Sequence, residues 1–176
     1  MIYPIYTYGQ DILRKKAEDI DLKDPNLFSL INDMYQTMHN ANGAGLAAPQ
    51  IGLNKKLVVV EDEISDGQIF KGVFINTNII GYSGKMYPIT EACLSFPELK
   101  IQIYRPDTVY VEWYDENKVY YKGSFDGIKS RIIQHEFDHL NGTLFIDRMD
   151  SVDKLNIFMK LEDIKNKKIK TLYAII

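Results

Sequence analysis

The segment from Asp126 to Gly142 constrains this 176-residue chain most, because it sets ionisable side chains inside an apolar helical stripe. Asp126 is a candidate N-cap and Gly142 a candidate stop, and Ile128 and Ile132 share a stripe with His135 and His139. At roughly 100° per residue, Ile133, Glu136, Phe137 and Leu140 widen that stripe into a broad buried arc. Ser130, Arg131, Gln134 and Asp138 gather on a narrow polar edge. His135 and His139 stand at i and i+4 and project from one face, with Glu136 beside the first. A histidine pair on a helix is often surface decoration. Here imidazoles and a carboxylate lie among isoleucines and need a partner to offset desolvation, and one metal ion sheltered from bulk water supplies it. The pattern points to a metal hydrolase.

Such a helix requires a body around it. A length of 176 residues with 45% hydrophobic content is enough for one domain spanning 1–176 with a sizeable core. The net charge of −3 implies no basic surface for nucleic acid, and the run Lys165 to Lys170 reads as a solvated helix face or tail. Met1 to Tyr6 have neither a positive n-region nor a long apolar stretch, and no apolar run approaches membrane-spanning length. A cytoplasmic protein without membrane contact is expected, and a monomer is the default for this size. The single cysteine, Cys93, excludes an internal disulfide and every zinc site that needs two thiolates.

Along the chain, Asp11 to Ala17 could form a short helical turn. Asp24-Pro25 reads as an N-cap followed by an N1 proline, with Leu27, Leu30, Ile31, Met34 and Met38 at helical spacing up to about Asn40. The run Asn42 to Gln50 is small and glycine-rich. It leaves a helix and is followed by no Gly-Lys-Ser/Thr, so a loop that hugs a ligand or a plain linker fits it better than a phosphate loop.

Extended segments are expected at Leu57 to Val60, Ile69 to Ile75 after a turn around Asp66-Gly67, Asn78 to Tyr82, and Lys85 to Ile89 after Ser83-Gly84. Val109 to Trp113 and Val119 to Tyr121 read as an antiparallel hairpin, and Glu91 to Pro97 lies between strands. Thr143 to Ile146 reads as extended, Val152 to Ile164 as a surface helix, and Leu172 to Ile176 as an apolar tail packed on the body. Strands and helices do not alternate regularly. The fold class is therefore α+β, with antiparallel β-sheets packed around a central metal-binding helix, a further N-terminal helix and a C-terminal helix.

A catalytic site of this kind takes three protein ligands and keeps one position open. A third histidine six residues after His139 is excluded, because that position is Phe145. His39, Cys93, Glu162 and Asp163 remain. A thiolate is the strongest donor of these, so Cys93 is favoured modestly over Glu162, while a buried lone cysteine is often only a small core residue. A zinc peptidase with Glu162 as third ligand stays open at this point.

Three stretches taken together resemble the peptide deformylases. They are Gly43-Ala44-Gly45-Leu46-Ala47-Ala48-Pro49-Gln50, Glu91-Ala92-Cys93-Leu94-Ser95 and Gln134-His135-Glu136-Phe137-Asp138-His139, in the family's order. Ala92 departs from the glycine usual before the cysteine and adds a methyl group beside the metal; Ala44 stands where a larger aliphatic residue is common. The resemblance implies one divalent metal on Cys93, His135 and His139, with iron(II) as working ion and zinc, nickel or cobalt as alternatives. It implies Glu136 as general base and acid, with Gln50 and the Leu94 N–H as oxyanion donors. The implied substrate is the N-formyl-methionine end of a nascent polypeptide, met at or near the ribosome. Gly45, Ala44, Glu91 and Ala92 would border that peptide, Ile128 and Ile132 would wall a methionine pocket, and Glu91 would also pair with Arg105.

Overall fold

The computed structural model describes residues 1–65 and 67–176, so the turn expected around Asp66-Gly67 lies outside the described residues at Asp66. A turn of 3-10 helix at Asp11–Arg14 precedes helix α1, Leu27–Asn40. Strands β1 (Gly45–Ala47), β2 (Leu57–Ser65), β3 (Gln68–Cys93), β4 (Phe96–Tyr114) and β5 (Tyr120–Phe125) follow. Helix α2, Gly127–Leu140, comes next, and two short helices, α3 (Ser151–Asn156) and α4 (Phe158–Lys165), complete the set. All strand pairs are antiparallel, in the order β1-β2-β3-β4-β5, so the α+β class holds, with one sheet where several were expected. No helix among the described residues is long and apolar enough to cross a membrane.

The apolar run in β2 explains how the sheet holds a helix on each face. Successive strand side chains alternate. Leu57 and Val59 therefore join Met34 and Met38 of α1, whereas Val58 and Val60 join Ile133, Phe137 and Leu140 of α2. Each such buried side chain contributes about 1.5–3 kcal/mol, which lets α2 carry charged groups into the interior. A third cluster packs Cys93, Phe96 and Ile101 against Phe145, Leu161 and Ile164.

Several expected boundaries move. Helix α1 begins at Leu27, because the Asp24 carboxylate accepts the Asn26 N–H (2.9 Å) in a local turn instead of capping the helix. The separate strands expected between Ile69 and Ile89 are one strand, β3. Asn76 (φ 51°) and Gly84 (φ 79°) mark register shifts within it instead of ends. The Asn76 amide also clamps Ile20, accepting its N–H at 2.7 Å and donating to its carbonyl at 2.9 Å.

Glu91 to Cys93 belong to β3 and Phe96 already to β4, so the cysteine segment is a hairpin end and not a loop. Thr143 to Ile146 is not extended throughout, since Phe145–Arg148 forms a 3-10 turn. The last helix is broken at Ile157, which lets Leu161 and Ile164 turn inward while Leu155 stays exposed. The 172–176 tail packs on the body only in part, through a parallel bridge between Ile5 and Ile175 and through the Tyr173 ring, while Leu172 stays exposed.

Candidate active site

The last residue of β3 and one face of α2 meet. Cys93 Sγ lies 3.2 Å from His139 Nε2, and the donor atoms of Cys93, His135 and His139 all fall within 4.8 Å of one another. His135 is held by a 2.8 Å hydrogen bond between Nδ1 and Glu91 Oε2, which leaves Nε2 for a ligand. Burial pushes the His135 pKa down, but Cys93 and Glu91 beside it outweigh that and raise it well above the ordinary value. Burial, and then the neighbouring His135, push His139 well below it.

The arrangement fits a divalent ion. A thiolate and two imidazoles form a donor set for zinc, iron(II), cobalt or nickel, and the buried Glu136 Oε2 beside them has no partner among the described residues. Glu162 lies on α4 outside this cluster, with its backbone carbonyl bonded to Asn166. His39 sits exposed at the end of α1, 3.2 Å from Glu61.

The polar edge of α2 turns inward as well, which differs from the expected pattern: every residue from Ser130 to Leu140 is buried. The reason is a charge network. Glu91 Oε1 accepts from Arg105 Nε (2.7 Å) and Arg131 Nη1 (2.9 Å), and Oε2 accepts from Arg105 Nη2 (2.9 Å). Arg105 Nη1 then reaches Asp138 at 2.6 Å, and Arg148 Nε reaches the same carboxylate at 2.7 Å. Arg131 also donates to the Tyr87 and Ile103 carbonyls at 2.7 Å. Burial pushes Glu91 up, but the Arg105 and His135 hydrogen bonds prevail and hold its carboxyl well below the usual range.

The Glu91–Arg105 pair is thus present, and both Glu91 oxygens are spent on supporting groups. Arg131, Asp138 and Arg148 were missed. Arg131 and Asp138 stand on the edge of α2 that reads as polar, so no pattern in the sequence marks them as buried.

A cavity of about 460 Å³ opens over the cluster, bordered by Gly43 to Gly45, Ala92 to Leu94, Ile128 and Ile132, with His135 and Glu136 at its wall. Ile132 is buried, Ile128 sits at the rim with 38% exposure, and Ala92 is exposed at the cavity border. Gly45 leaves no room for a side chain, because a Cβ there would lie 2.6 Å from Glu136 Oε1. Gln50 Oε1 accepts the Ala47 N–H at 2.8 Å, which aims Nε2 at Ser95 Oγ (3.3 Å) and Cys93 Sγ (3.6 Å). Burial raises Glu136 to about 7. Tyr173, unforeseen, also lines the cavity and donates its hydroxyl to the Leu94 carbonyl at 2.8 Å. Burial, and then the nearby Cys93, push that hydroxyl up to about 12.

Comparison with known proteins gives the same picture. The family model described as polypeptide deformylase matches residues 2–155. A peptide deformylase of Christiangramia forsetii is 39% identical, with 98% of this chain and 94% of that protein covered. The crystal structure of a peptide deformylase from Legionella pneumophila superposes with a TM-score of 0.84 at 33% identity, covering 96% of this chain and 98% of that one. A Synechococcus elongatus peptide deformylase in complex with actinonin gives 0.81 at 36% identity, covering 99% and 92%. A match that runs through all three motif stretches, at a third or more identity and on a common fold, leads to one conclusion: this chain belongs to the polypeptide deformylase family.

Proposed function

We propose that this chain is a metal-dependent peptide deformylase, removing the N-formyl group from the formyl-methionine end of newly made polypeptides and releasing formate. The observation that carries the reading is the meeting of Cys93, His135 and His139 beside Glu136 in the cavity of a chain of this family. Cys93, His135 and His139 would hold the ion, with iron(II) as the working metal. When bound, the ion polarises the formyl carbonyl and lowers the pKa of water.

The rest falls to the chain's own groups. Glu136, buried at the cavity wall beside His135, is the group assigned to proton transfer: it takes the proton of the attacking water and returns it to the departing amine. Gln50 Nε2, aimed by the Ala47 N–H, and the Leu94 N–H are the donors assigned to the developing oxyanion. Strand β1 is an edge strand, so Gly45 and its neighbour Ala44 can offer backbone groups to an extended peptide. Ile128 and Ile132 would receive the methionine side chain, and Ala92 would border the groove. Residues 1–176 are read as one domain, working as a monomer in the cytoplasm on chains leaving the ribosome.

The test is formate release from formyl-Met-Ala-Ser by protein purified without oxygen and loaded with iron(II) or nickel. Glu136→Ala is expected to keep its metal and lose at least about 100-fold in rate. Absence of formate at full metal occupancy would overturn the reading.

A further inference from the structure

Residues 5–8 run between two parts of the molecule, with a turn opening at Tyr8, and their backbone N–H groups alternate between them. Ile5 and Thr7 donate to the carbonyls of Ala174 (2.8 Å) and Ile176 (2.9 Å). Tyr6 and Tyr8 donate the other way, to Gln50 (2.8 Å) and Ser95 (2.9 Å). This is the twofold period of an extended chain used as a bridge, with one edge holding 174–176 and the other holding the backbone of two residues at the site. Ile176 N–H returns a bond to the Ile5 carbonyl at 2.8 Å, and Thr7 Oγ1 adds one to Ile176 at 2.9 Å. The bridged segment lies beyond residues 2–155 that the family model matches.

Tyr173 is the side chain that this strap sends to the cavity. Its ring packs, half-buried, on the core cluster that also takes Leu94 and Leu53. Its hydroxyl meets the Leu94 carbonyl, and Thr171 Oγ1 donates to the Tyr173 carbonyl at 2.6 Å. The two-residue turn Leu94-Ser95 joins Cys93 to Phe96 and is held at three polar points. Ser95 O is held by Tyr8, Ser95 Oγ by Gln50, and Leu94 O by Tyr173 alone among the described residues. With the Leu94 carbonyl released, the dihedrals of Leu94 would be less constrained, and the direction of its N–H with them. A preorganised donor works only while that direction is fixed.

We propose that Tyr173 is a positioning residue of the deformylase site: by holding the Leu94 carbonyl it fixes the Leu94 N–H in the direction that meets the substrate oxyanion. This rests on the deformylase reading given above, and the test separates the two.

Tyr173→Phe keeps the ring and removes only the hydroxyl; Leu172→Ala, at a side chain 92% exposed, is the control on the strap. With full metal occupancy, Tyr173→Phe is expected to lower kcat on formyl-Met-Ala-Ser by roughly five- to tenfold, as the loss of one hydrogen bond implies. KM and bound metal should stay at wild-type values, the melting temperature should fall by no more than about 2–4 °C, and hydrogen exchange at the Leu94 and Ser95 amides should quicken about tenfold. Leu172→Ala should change neither kcat nor exchange. Wild-type kcat in Tyr173→Phe, a change in kcat without a change in exchange, or a loss that follows lost metal would each overturn the proposal. If the wild-type protein releases no formate, the deformylase reading fails, while unchanged exchange in Tyr173→Phe would separately remove Tyr173 from any hold on the turn.

Discussion

Gly45 and Glu136 approach so closely that the hydrogen on one glycine decides where a carboxylate stands. A methyl group there would lie 2.6–2.8 Å from Glu136 Oε1, Cδ and Cγ, so the side chain would have to leave its place. Gly45→Ala is therefore expected to cut formate release by about 100-fold, the contribution of a displaced general base. Metal content should be unchanged, and urea unfolding should show about 1–3 kcal/mol of overpacking cost. Activity near wild type would contradict this geometry.

At this scale the sequence was most informative where chemistry forces rare residues together. Two histidines one turn apart and a single cysteine, combined with a glutamine after a glycine run, name groups that do stand together in space. Tyr173 was illegible, because its role depends on a strap bond between segments 169 residues apart, and no spacing rule reaches that far.

Strand β4 and helix α2 are joined by Val109 and Val111 packing with Ile133 and Phe137, and also by one guanidinium. Arg105 is fully buried and bridges Glu91 to Asp138, so its removal would leave two buried carboxylates each short of a charged partner, with Arg131 and His135 still on Glu91 and Arg148 on Asp138. Arg105→Met is expected to lower stability by about 3–5 kcal/mol. Arg105→Lys should recover part of this, since it restores the charge but not the paired hydrogen bonds. Urea midpoints of the two variants decide it, and equal losses would show that charge alone counts for nothing there.

Elements with one dominant pattern were readable: the β2 apolar run, the α1 stripe, the hairpin of β4 and β5. The interior of β3 was not, because a residue in the left-handed region announces a turn and a bulge in the same way. Only the partner strand, continuous across Asn76 and Gly84, distinguishes the two. The burial of the α2 polar edge was also hidden, since the amphipathic pattern of a helix does not record that a second protein layer covers its polar side.

Across the whole molecule, late segments return to early ones. Asp147, after α2, pairs with Arg14 near the start and accepts the Leu144 N–H at 2.8 Å. Burial pushes the Asp147 pKa up, but the bonds from Arg14 and Leu144 prevail and hold it below its ordinary value. A depressed carboxylate stabilises the fold above its unfolded pKa, near 4, and loses that contribution as pH falls through the folded value. Asp147→Asn should thus cost about 1 kcal/mol at pH 7, a figure kept small because the pair is partly exposed. The gap in urea midpoints should close as pH drops below about 4; a gap of constant size would refute the linkage.

The bridge from residues 5–8 to 174–176 has a further consequence for how the molecule comes into being. Contacts so distant in sequence carry the greatest loop-closure entropy and are reached slowly. In a chain made from its N-terminus, residues 5–8 must wait for residues 174–176. Cys93, His135 and His139 are all present well before Ile176 is added, yet the turn that bears Leu94 lacks its outer support until then. An enzyme that acts on unfinished chains therefore reaches its own full rate only once residues 174–176 have joined residues 5–8.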